Sequence, residues 1–412
     1  LTENRIRIAI IGGGAAGFFA AIRCAAQNPA ADVTIFEKSQ KLLAKVKVSG
    51  GGRCNVTHAC QDVKQLVQYY PRGGKELYGL FSRFGPNDTV QWFESRGVKL
   101  KTESDGRMFP VTDNSQTIIN CLLHEAESLQ VKIHTGLEVK EINILSSSNF
   151  EVKTGSNKSL IFERILIACG GSPKDSGFDW LRQLGHPVVS PVPSLFSFNI
   201  RDKVLTGLMG LSVQDAIVKI KDHPFTTSGP ILITHWGVSG PAILKLSSVA
   251  ARVLAALNYR FQILVNWTGG KREEEVRKEI TDVKSQHPGK QVFNQALGGI
   301  PKRLWHYLAG KSGIRESLQW ANLSKEQMNK LILVMVRDEY EVGGKTTFKE
   351  EFVTCGGVAL SSVDLKTMES KLVKGLYFAG EVLDIDALTG GFNFQAAWSG
   401  GFVAGTSMAS AY

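Results

Sequence analysis

Ile8-Ala-Ile-Ile-Gly-Gly-Gly-Ala-Ala-Gly17 decides the fold of this chain. The apolar run Ile8 to Ile11 reads as a buried strand, and Ala15 to Ala26 reads as the helix that follows it. Between them Gly12, Gly14 and Gly17 give the spacing G-x-G-x-x-G. Gly12 allows the tight turn off the strand, Gly14 lets a pyrophosphate approach the backbone, and Gly17 lets the helix pack closely on the sheet. The free N–H groups and positive pole of the helix, here at Ala15 and Ala16, then face the anion. After Asn28-Pro29, Asp32-Val-Thr-Ile-Phe-Glu37 reads as a second strand ending on an acid, with Lys38 next to it. A carboxylate at Glu37 suits an unphosphorylated adenosine ribose, so FAD or NAD is expected rather than NADP.

At 412 residues the chain is long enough for two or three domains. Its 43% hydrophobic and 21% charged residues are those of a globular protein. The apolar stretch Ile8 to Ala26 contains four glycines and Arg23, which argues against a membrane span and a signal peptide, so a cytoplasmic location is expected. The net charge of +10 is read as a solvated surface, and nucleic acid is not the expected partner. Cys24, Cys54, Cys60, Cys121, Cys169 and Cys355 show no C-x-x-C pair and no zinc spacing, so reduced cysteines and no metal are expected.

A second glycine cluster, Lys45-Val-Lys-Val-Ser-Gly-Gly-Gly-Arg-Cys-Asn-Val-Thr-His58, follows no long apolar strand. Ser49, Gly50, Gly51 and Gly52 form a loop whose backbone can lie against a flat ring, with Arg53, Cys54 and Asn55 beyond it and Lys45 before it. Helical patterns over 62 to 97 and 113 to 129 lead to the strand Val131 to Thr135, which carries the chain to Val139, whose backbone reaches toward an adenine. Glu138 to Asn143, Asn149 to Lys153 and Leu160 to Glu163 read as a small meander. Arg164-Ile-Leu-Ile-Ala-Cys-Gly-Gly171 is a buried strand whose small end, Ala168, Cys169 and Gly170, leaves room for a dinucleotide.

From Pro191 the pattern changes to short strands, Leu195 to Ile200, Leu211 to Ile220 and Phe261 to Asn266, as in an antiparallel barrel. Within it Ile231-Leu-Ile-Thr-His-Trp-Gly-Val-Ser-Gly-Pro-Ala-Ile-Leu244 places His235 in a loop, as a candidate acid or base. Glu273 to Val283, Gln291 to Leu297, Lys302 to Leu308 and Lys325 to Val336 read as a helical insert, split by Pro288, Gly298-Gly299 and Gly310. Residues 271–330 hold twelve Lys and Arg against seven Asp and Glu, a surplus that could serve as a docking face. Barrel-like strands resume at Asp338 to Thr346 and Glu351 to Thr354.

Near the end, Gly375-Leu-Tyr-Phe-Ala-Gly-Glu381 is a buried strand ending on Gly380 and Glu381, with Asp384 soon after. These groups suit ribityl hydroxyls and a pyrophosphate. Gly390-Gly391-Phe392-Asn393-Phe-Gln395 then opens a terminal helix, Ala396 to Ala411. A helix N-terminus aimed at the flavin N1–C2=O edge stabilises the negative charge that develops there when N5 accepts a hydride.

Gly12-x-Gly14-x-x-Gly17 with Glu37, the Ala168 to Gly171 strand end and Tyr377 to Glu381 resemble the two-part FAD-binding domain of many flavoenzymes. Ser49 to Asn55, Gly106-Arg-Met-Phe-Pro110, Thr234 to Pro241 and Gly380 to Asp384 with Gly390 to Asn393 more narrowly resemble the three-domain bacterial flavoproteins of the aminoacetone oxidase family. That group is related to a bile-acid 3-oxo-4-ene reductase. The resemblance implies an α/β, Rossmann-like FAD domain built from residues 1–193 and 355–412. It implies an inserted β-barrel substrate domain, 194–270 and 337–354, and a helical insert, 271–336. His58 departs from the family, which usually has asparagine there.

The expected activity is therefore an FAD-dependent oxidoreductase. It would exchange a hydride between flavin N5 and a small or medium organic substrate, with NAD(P)H as a transient reductant. An amine oxidase releasing peroxide is the alternative within that class. A flavoprotein that docks RNA or protein through its basic insert is the alternative from another class.

Overall fold

The computed structural model describes residues 5–146, 149–155, 158–346 and 353–410. It divides into two compact units, Leu1–Pro193 with Lys349–Tyr412, and Ser194–Phe348.

The first unit is built on a seven-stranded sheet. Its order is Val363–Asp364, Glu369–Ser370, Leu376–Phe378, Arg164–Ile167, Arg7–Ile11, Asp32–Glu37 and Lys132–Thr135. The last five strands are parallel, with Ile8 beside both Arg164 and Val33 in register. Ile8, Ala9, Ile10, Ile165, Leu166, Ile167, Leu376 and Phe378 are fully buried, which is why these strands read as continuous apolar runs. Residues from both ends of the chain thus lie side by side in one sheet, in the Rossmann-like α/β arrangement expected.

The helices Ala15–Gln27 and Phe392–Ala409 pack against each other at close range. A Cβ built on Gly401 would sit 2.7 Å from the Ala16 carbonyl oxygen, and one on Gly405 would sit 2.5 Å from that of Ala20. Arg23 Nε donates to Thr406 Oγ1 at 2.9 Å and Asn28 Nδ2 to the Ala409 carbonyl at 3.2 Å. The pairing of residue 16 with 401, 20 with 405 and 28 with 409 shows that the two helices run parallel. Buried Arg164 donates to the Met408 and Ser410 carbonyls, satisfying acceptors that the terminal helix leaves free.

The terminal helix begins at Phe392, four residues before the expected Ala396, because positive-φ Gly391 already turns the chain into it. Its expected end, Ala411, lies outside the described residues, as do residues 351 and 352 of the expected strand Glu351 to Thr354. The described strand, Val353–Val358, pairs with Val188–Ser194 in a two-stranded sheet of its own and is not a strand of the barrel, against the barrel-like reading of this segment. The loop expected at Ser49 to Gly52 is preceded by a helical turn from Ala44, which sequence reading did not foresee. The left-handed backbone of Gly50 (φ 59) and Gly51 (φ 70) breaks it.

The second unit contains a closed barrel, in the order Ser197–Ile200, Gly237–Ser239, Thr226–Thr234, Ser212–Ile220, Arg260–Asn266 and Asp338–Thr346. All its pairings are antiparallel. Alternation explains its core: Val218, Ile220, Ile263 and Val265 point inward and are buried. Helices Glu273–Gln286, Lys302–Lys311 and Lys325–Val336 follow the expected segments, and one apolar core runs through barrel and helices. The helix expected over Gln291 to Leu297 is a single 3₁₀ turn, Val292–Asn294. Its backbone is used elsewhere: Gln291 bridges Gln319, and the Val292 N–H donates to the Leu318 carbonyl at 2.9 Å.

Candidate cofactor site

The glycine turn at the end of Arg7–Ile11 works through close approaches. A Cβ on Gly12, whose φ is +118, would lie 2.3 Å from the Ala168 carbonyl oxygen. One on Gly17 would lie 2.0 Å from the Gly12 oxygen, whereas one on Gly14 would meet nothing within 4 Å. The first and third glycines therefore serve packing, and the second faces open space. Gly14 caps the first helix without any side-chain hydrogen bond, and no acid stands in the first turn, so the N–H groups at its start are available to an anion.

Glu37 closes one side. Its carboxylate accepts from the Gly13 N–H and the Ser39 N–H, both at 2.8 Å, which fixes it at the strand end beside the turn. Lys38 is exposed next to it. The Leu137 N–H donates to the Glu37 carbonyl at 3.0 Å, and Val139 starts the next strand two residues on. Ala168, Cys169 and Gly170 leave the neighbouring strand end, with Ala168 buried and Cys169 exposed.

On the other side stands the end of Leu376–Phe378. A Cβ on Gly380 would come within 3.0 Å of the Ala16 side chain. Glu381 pairs with Lys45 and accepts from the Thr354 N–H at 2.8 Å, so the segment before the second glycine cluster is tied to this strand end. Asp384 is held through its backbone, its N–H donating to the Val358 carbonyl at 2.9 Å.

The second glycine cluster is held by its flanks. Ser49 Oγ donates to the Val46 carbonyl at 3.1 Å, and the Cys54 N–H to the Ser49 carbonyl at 3.0 Å. Arg53 lies over the Phe109 ring, 4.0 Å from its centroid, and pairs with Glu103 at 2.6 Å. Cys54 is fully buried, and burial pushes its thiol up to about 12, so it stays protonated and unreactive. With its amide turned to satisfy both ends, Asn55 accepts from the Gly391 N–H at 2.9 Å and donates to the Thr57 carbonyl at 3.1 Å.

The terminal helix starts beside this loop. Phe392 stacks on Tyr69, with ring centroids 4.2 Å apart, and on His58 at 4.7 Å. Asn393 exchanges hydrogen bonds with the Ala387 backbone, at 3.0 and 3.3 Å, and so closes the 387–393 loop. No side chain caps the helix at Gly391, and its first turn carries no acid.

Because residue 16 lies beside 401 in parallel helices, the terminal helix starts eight residues further out than the first. At 1.5 Å per residue this offsets the two N-termini by about 12 Å, both facing the same way. One anion-binding end and a second one further along fit a molecule with a pyrophosphate and, some distance away, a ring that becomes anionic. FAD has that layout.

His235 belongs to the other unit. It is exposed in the turn between Thr226–Thr234 and Gly237–Ser239, its ring 4.4 Å from that of Trp236. Among the described residues no group of His, Cys, Asp and Glu could hold a metal ion, and no helix is long and apolar enough to cross a membrane.

Sequence reading missed the residues that hold these segments together: buried Thr57, Thr89, Asp386 and Gln395, and half-buried Arg72. Gln395 carries a readable signal, a long amide in the otherwise apolar Phe-Gln-Ala-Ala-Trp run.

A sheet with five parallel strands, a glycine turn, an acid at the neighbouring strand end and two uncapped helix N-termini define a dinucleotide-binding flavoprotein of the Rossmann type. The chain belongs to the HI0933-like protein Rossmann domain family, which it matches over residues 6–407. It is an FAD-dependent oxidoreductase. A 3-dehydro-bile acid Δ(4,6)-reductase of Clostridium scindens is 28% identical over 98% of this chain and 99% of that one. A ribosomal RNA dihydrouridine synthase of Haemophilus influenzae is 29% identical over 97% of each chain. In fold the chain is similar to a 3-ketosteroid-Δ4-(5α)-dehydrogenase of Rhodococcus jostii, with a TM-score of 0.52 and 11% identity over 100% of this chain and 98% of that one.

Proposed function

We propose that this protein reduces a carbon–carbon double bond conjugated to a carbonyl. The observation that carries the flavin in this reading is the pair of uncapped helix N-termini, offset by about 12 Å and facing one way, and the bond reduced is argued from the relatives. Ala15 and Ala16 at the first, with Gly12 and Gly14, would hold the pyrophosphate; Glu37 and the backbone at Val139 would hold the adenosine. Lys45, Glu381 and Asp384 would border the ribityl chain. Gly50, Gly51, Arg53, Asn55 and the helix start at Gly391 to Asn393 would border the ring. Reduced FAD, when bound, supplies the hydride, and NAD(P)H is the proposed reductant.

The 3-dehydro-bile acid reductase and the dihydrouridine synthase are named for the same bond change, addition of two hydrogens across a C=C bond conjugated to a carbonyl. The hydride goes to the β-carbon and a proton to the α-carbon. His235 is the proposed proton donor; unchanged turnover in His235→Ala would remove that role. Residues 194–270 with 337–354 are the proposed substrate domain and 271–336 a proposed helical domain. Membership of the aminoacetone oxidase group, with amine oxidation, is the competing proposal.

Two substrates fit this chemistry, a steroid-like enone and a uracil ring in RNA. The net charge of +10 favours the second, against the expectation drawn from sequence that nucleic acid is not a partner. Anaerobic mixing of the FAD-loaded protein with NADH or NADPH should bleach the flavin, and a 4-en-3-one steroid or a uridine-containing RNA should restore its colour. Bleaching by primary amines instead, with peroxide formed in air, would overturn the reductase reading. Binding to RNA that weakens steeply with salt selects RNA over the steroid.

A further inference from the structure

Three consecutive residues leaving the second glycine cluster are each tied to one face of the terminal helix. Asn55 accepts from the Gly391 N–H at 2.9 Å. Trp398 Nε1 donates to the Val56 carbonyl at 2.9 Å. Thr57 Oγ1 donates to Gln395 Oε1 at 2.5 Å. Positions 391, 395 and 398 stand four and three residues apart, so they share a helix face.

Gln395 is the centre of this seam. Its side chain is fully buried, and both ends of its amide are in use. Oε1 also lies 3.0 Å from Thr89 Oγ1 of the helix Pro86–Glu94, while Nε2 donates to Ser399 Oγ at 3.0 Å. Ser399 passes its own hydroxyl proton to the Phe84 carbonyl at 2.6 Å. A single amide thus fixes the strand Thr57–His58, the helix Pro86–Glu94 and the first turns of the terminal helix relative to one another. An apolar side chain of the same size would fill the space but leave the Thr57 hydroxyl buried without this acceptor, while Thr89 keeps the Gly85 carbonyl at 3.2 Å, so a buried glutamine is costly to replace but unnecessary for packing alone.

We propose that Gln395 is a positioning residue of the flavin cradle: it sets the distance between the Gly50–Asn55 loop and the helix N-terminus at Gly391, the two sides that border the ring. The proposal rests on the FAD reading given above. Gln395 touches no ring atom; it acts through Thr57 and the backbone on either side of it. If so, losing it should change how the ring is held and how its reduced form is stabilised, beyond any loss of general stability.

The test compares the wild type with Gln395→Met, Thr57→Val and Thr57→Ser, each purified without flavin. Three quantities are measured: melting of the flavin-free chain, the FAD dissociation constant, and the visible spectrum and midpoint potential of bound flavin. Gln395→Met should bind FAD about tenfold more weakly, the size of one buried hydrogen bond, and shift the potential. Thr57→Val should move both in the same direction, and Thr57→Ser, which keeps the hydroxyl, should restore wild-type values. If Gln395→Met does not fold, Thr57→Val decides by the same measurements. Folded variants with unchanged FAD affinity, spectrum and potential would overturn the role of Gln395 while leaving the FAD reading intact. A wild-type chain that takes up no FAD would overturn both.

Discussion

Arg72 and Asp386, separated by 314 residues, form a two-point ion pair in which Asp386 is wholly buried and Arg72 is 11% exposed. The same two residues bridge through their backbones. Nearby, Tyr70 Oη donates to the Phe392 carbonyl at 2.6 Å, and the Leu388 N–H to the Tyr69 carbonyl at 2.8 Å. The segment 69–72 therefore clamps the strap 386–392 that leads into the terminal helix.

Removing one partner of this pair should be far worse than weakening it. Arg72→Met leaves the Asp386 carboxylate buried without its cation, at a cost of about 3–5 kcal/mol. Urea unfolding should show this loss, and FAD affinity should fall with it, because the strap positions Gly391. A change below about 1 kcal/mol would mean that Asp386 finds water or another donor.

Gly14 and Gly17 should separate cofactor binding from folding. Gly17→Ala drives a methyl group into the Gly12 carbonyl and should destabilise the chain by about 1–3 kcal/mol. Gly14→Ala meets no protein atom and should leave the melting temperature of the flavin-free chain nearly unchanged, while weakening FAD binding. Equal FAD affinity in Gly14→Ala and wild type would mean that no pyrophosphate approaches this backbone.

In the second unit, the Asp338 carboxylate is buried inside the barrel wall and accepts from Lys311 at 2.6 Å, from Trp267 Nε1 at 3.1 Å and from Tyr340. Lys311 comes from the helix Lys302–Lys311, whose Tyr307 also donates to Asp202 at 2.8 Å. Lys311→Met should destabilise the protein by about 3 kcal/mol by stranding that carboxylate. Burial already holds the Asp338 carboxyl above its ordinary range, so the variant should recover stability toward acid pH as the carboxyl takes up a proton. A pH-independent loss would exclude this cause.

Two histidines should make the protein acid-sensitive. Burial holds His186 and His58 below the ordinary histidine value near 6.5. Ser370 Oγ accepts from the Leu372 and Val373 N–H groups, so its own proton goes to His186 Nε2 at 2.7 Å, which places the ring proton on Nδ1. The Cys60 N–H donates to His58 Nδ1 at 3.1 Å, which leaves Nε2–H for the Asp105 carbonyl at 3.1 Å. Both rings are neutral in the fold and charge more readily once unfolded. Their contribution is present above pH 6.5 and is lost as pH falls through the lowered values. Urea midpoints should drop from pH 7 to pH 5, and less so in His58→Asn with His186→Gln. Equal slopes would assign the effect to other groups.

Local rules made the strand–turn–helix at Ile8 to Ala26, the acid at Glu37 and four of the six barrel strands readable from the chain alone, while the hairpin Thr226–Thr234 with Gly237–Ser239 reads only as a loop around His235. Each depends on periodicity and on glycine placement within a few residues. The helix expected over Gln291 to Leu297 failed for the opposite reason: its backbone pairs with residues 318 and 319, which no local pattern announces.

The sequence by itself determined that a dinucleotide turn exists, which acid accompanies it, and that the two chain ends belong to one domain. Only the tertiary structure decided how the site is held. The parallel packing of Ala16 on Gly401 sets the offset between two helix N-termini, and Thr57 meets Gln395 across 338 residues. Such contacts depend on where the sheet and helices bring distant side chains. A buried glutamine or arginine in the sequence shows only that a partner is needed, and the fold supplies which one.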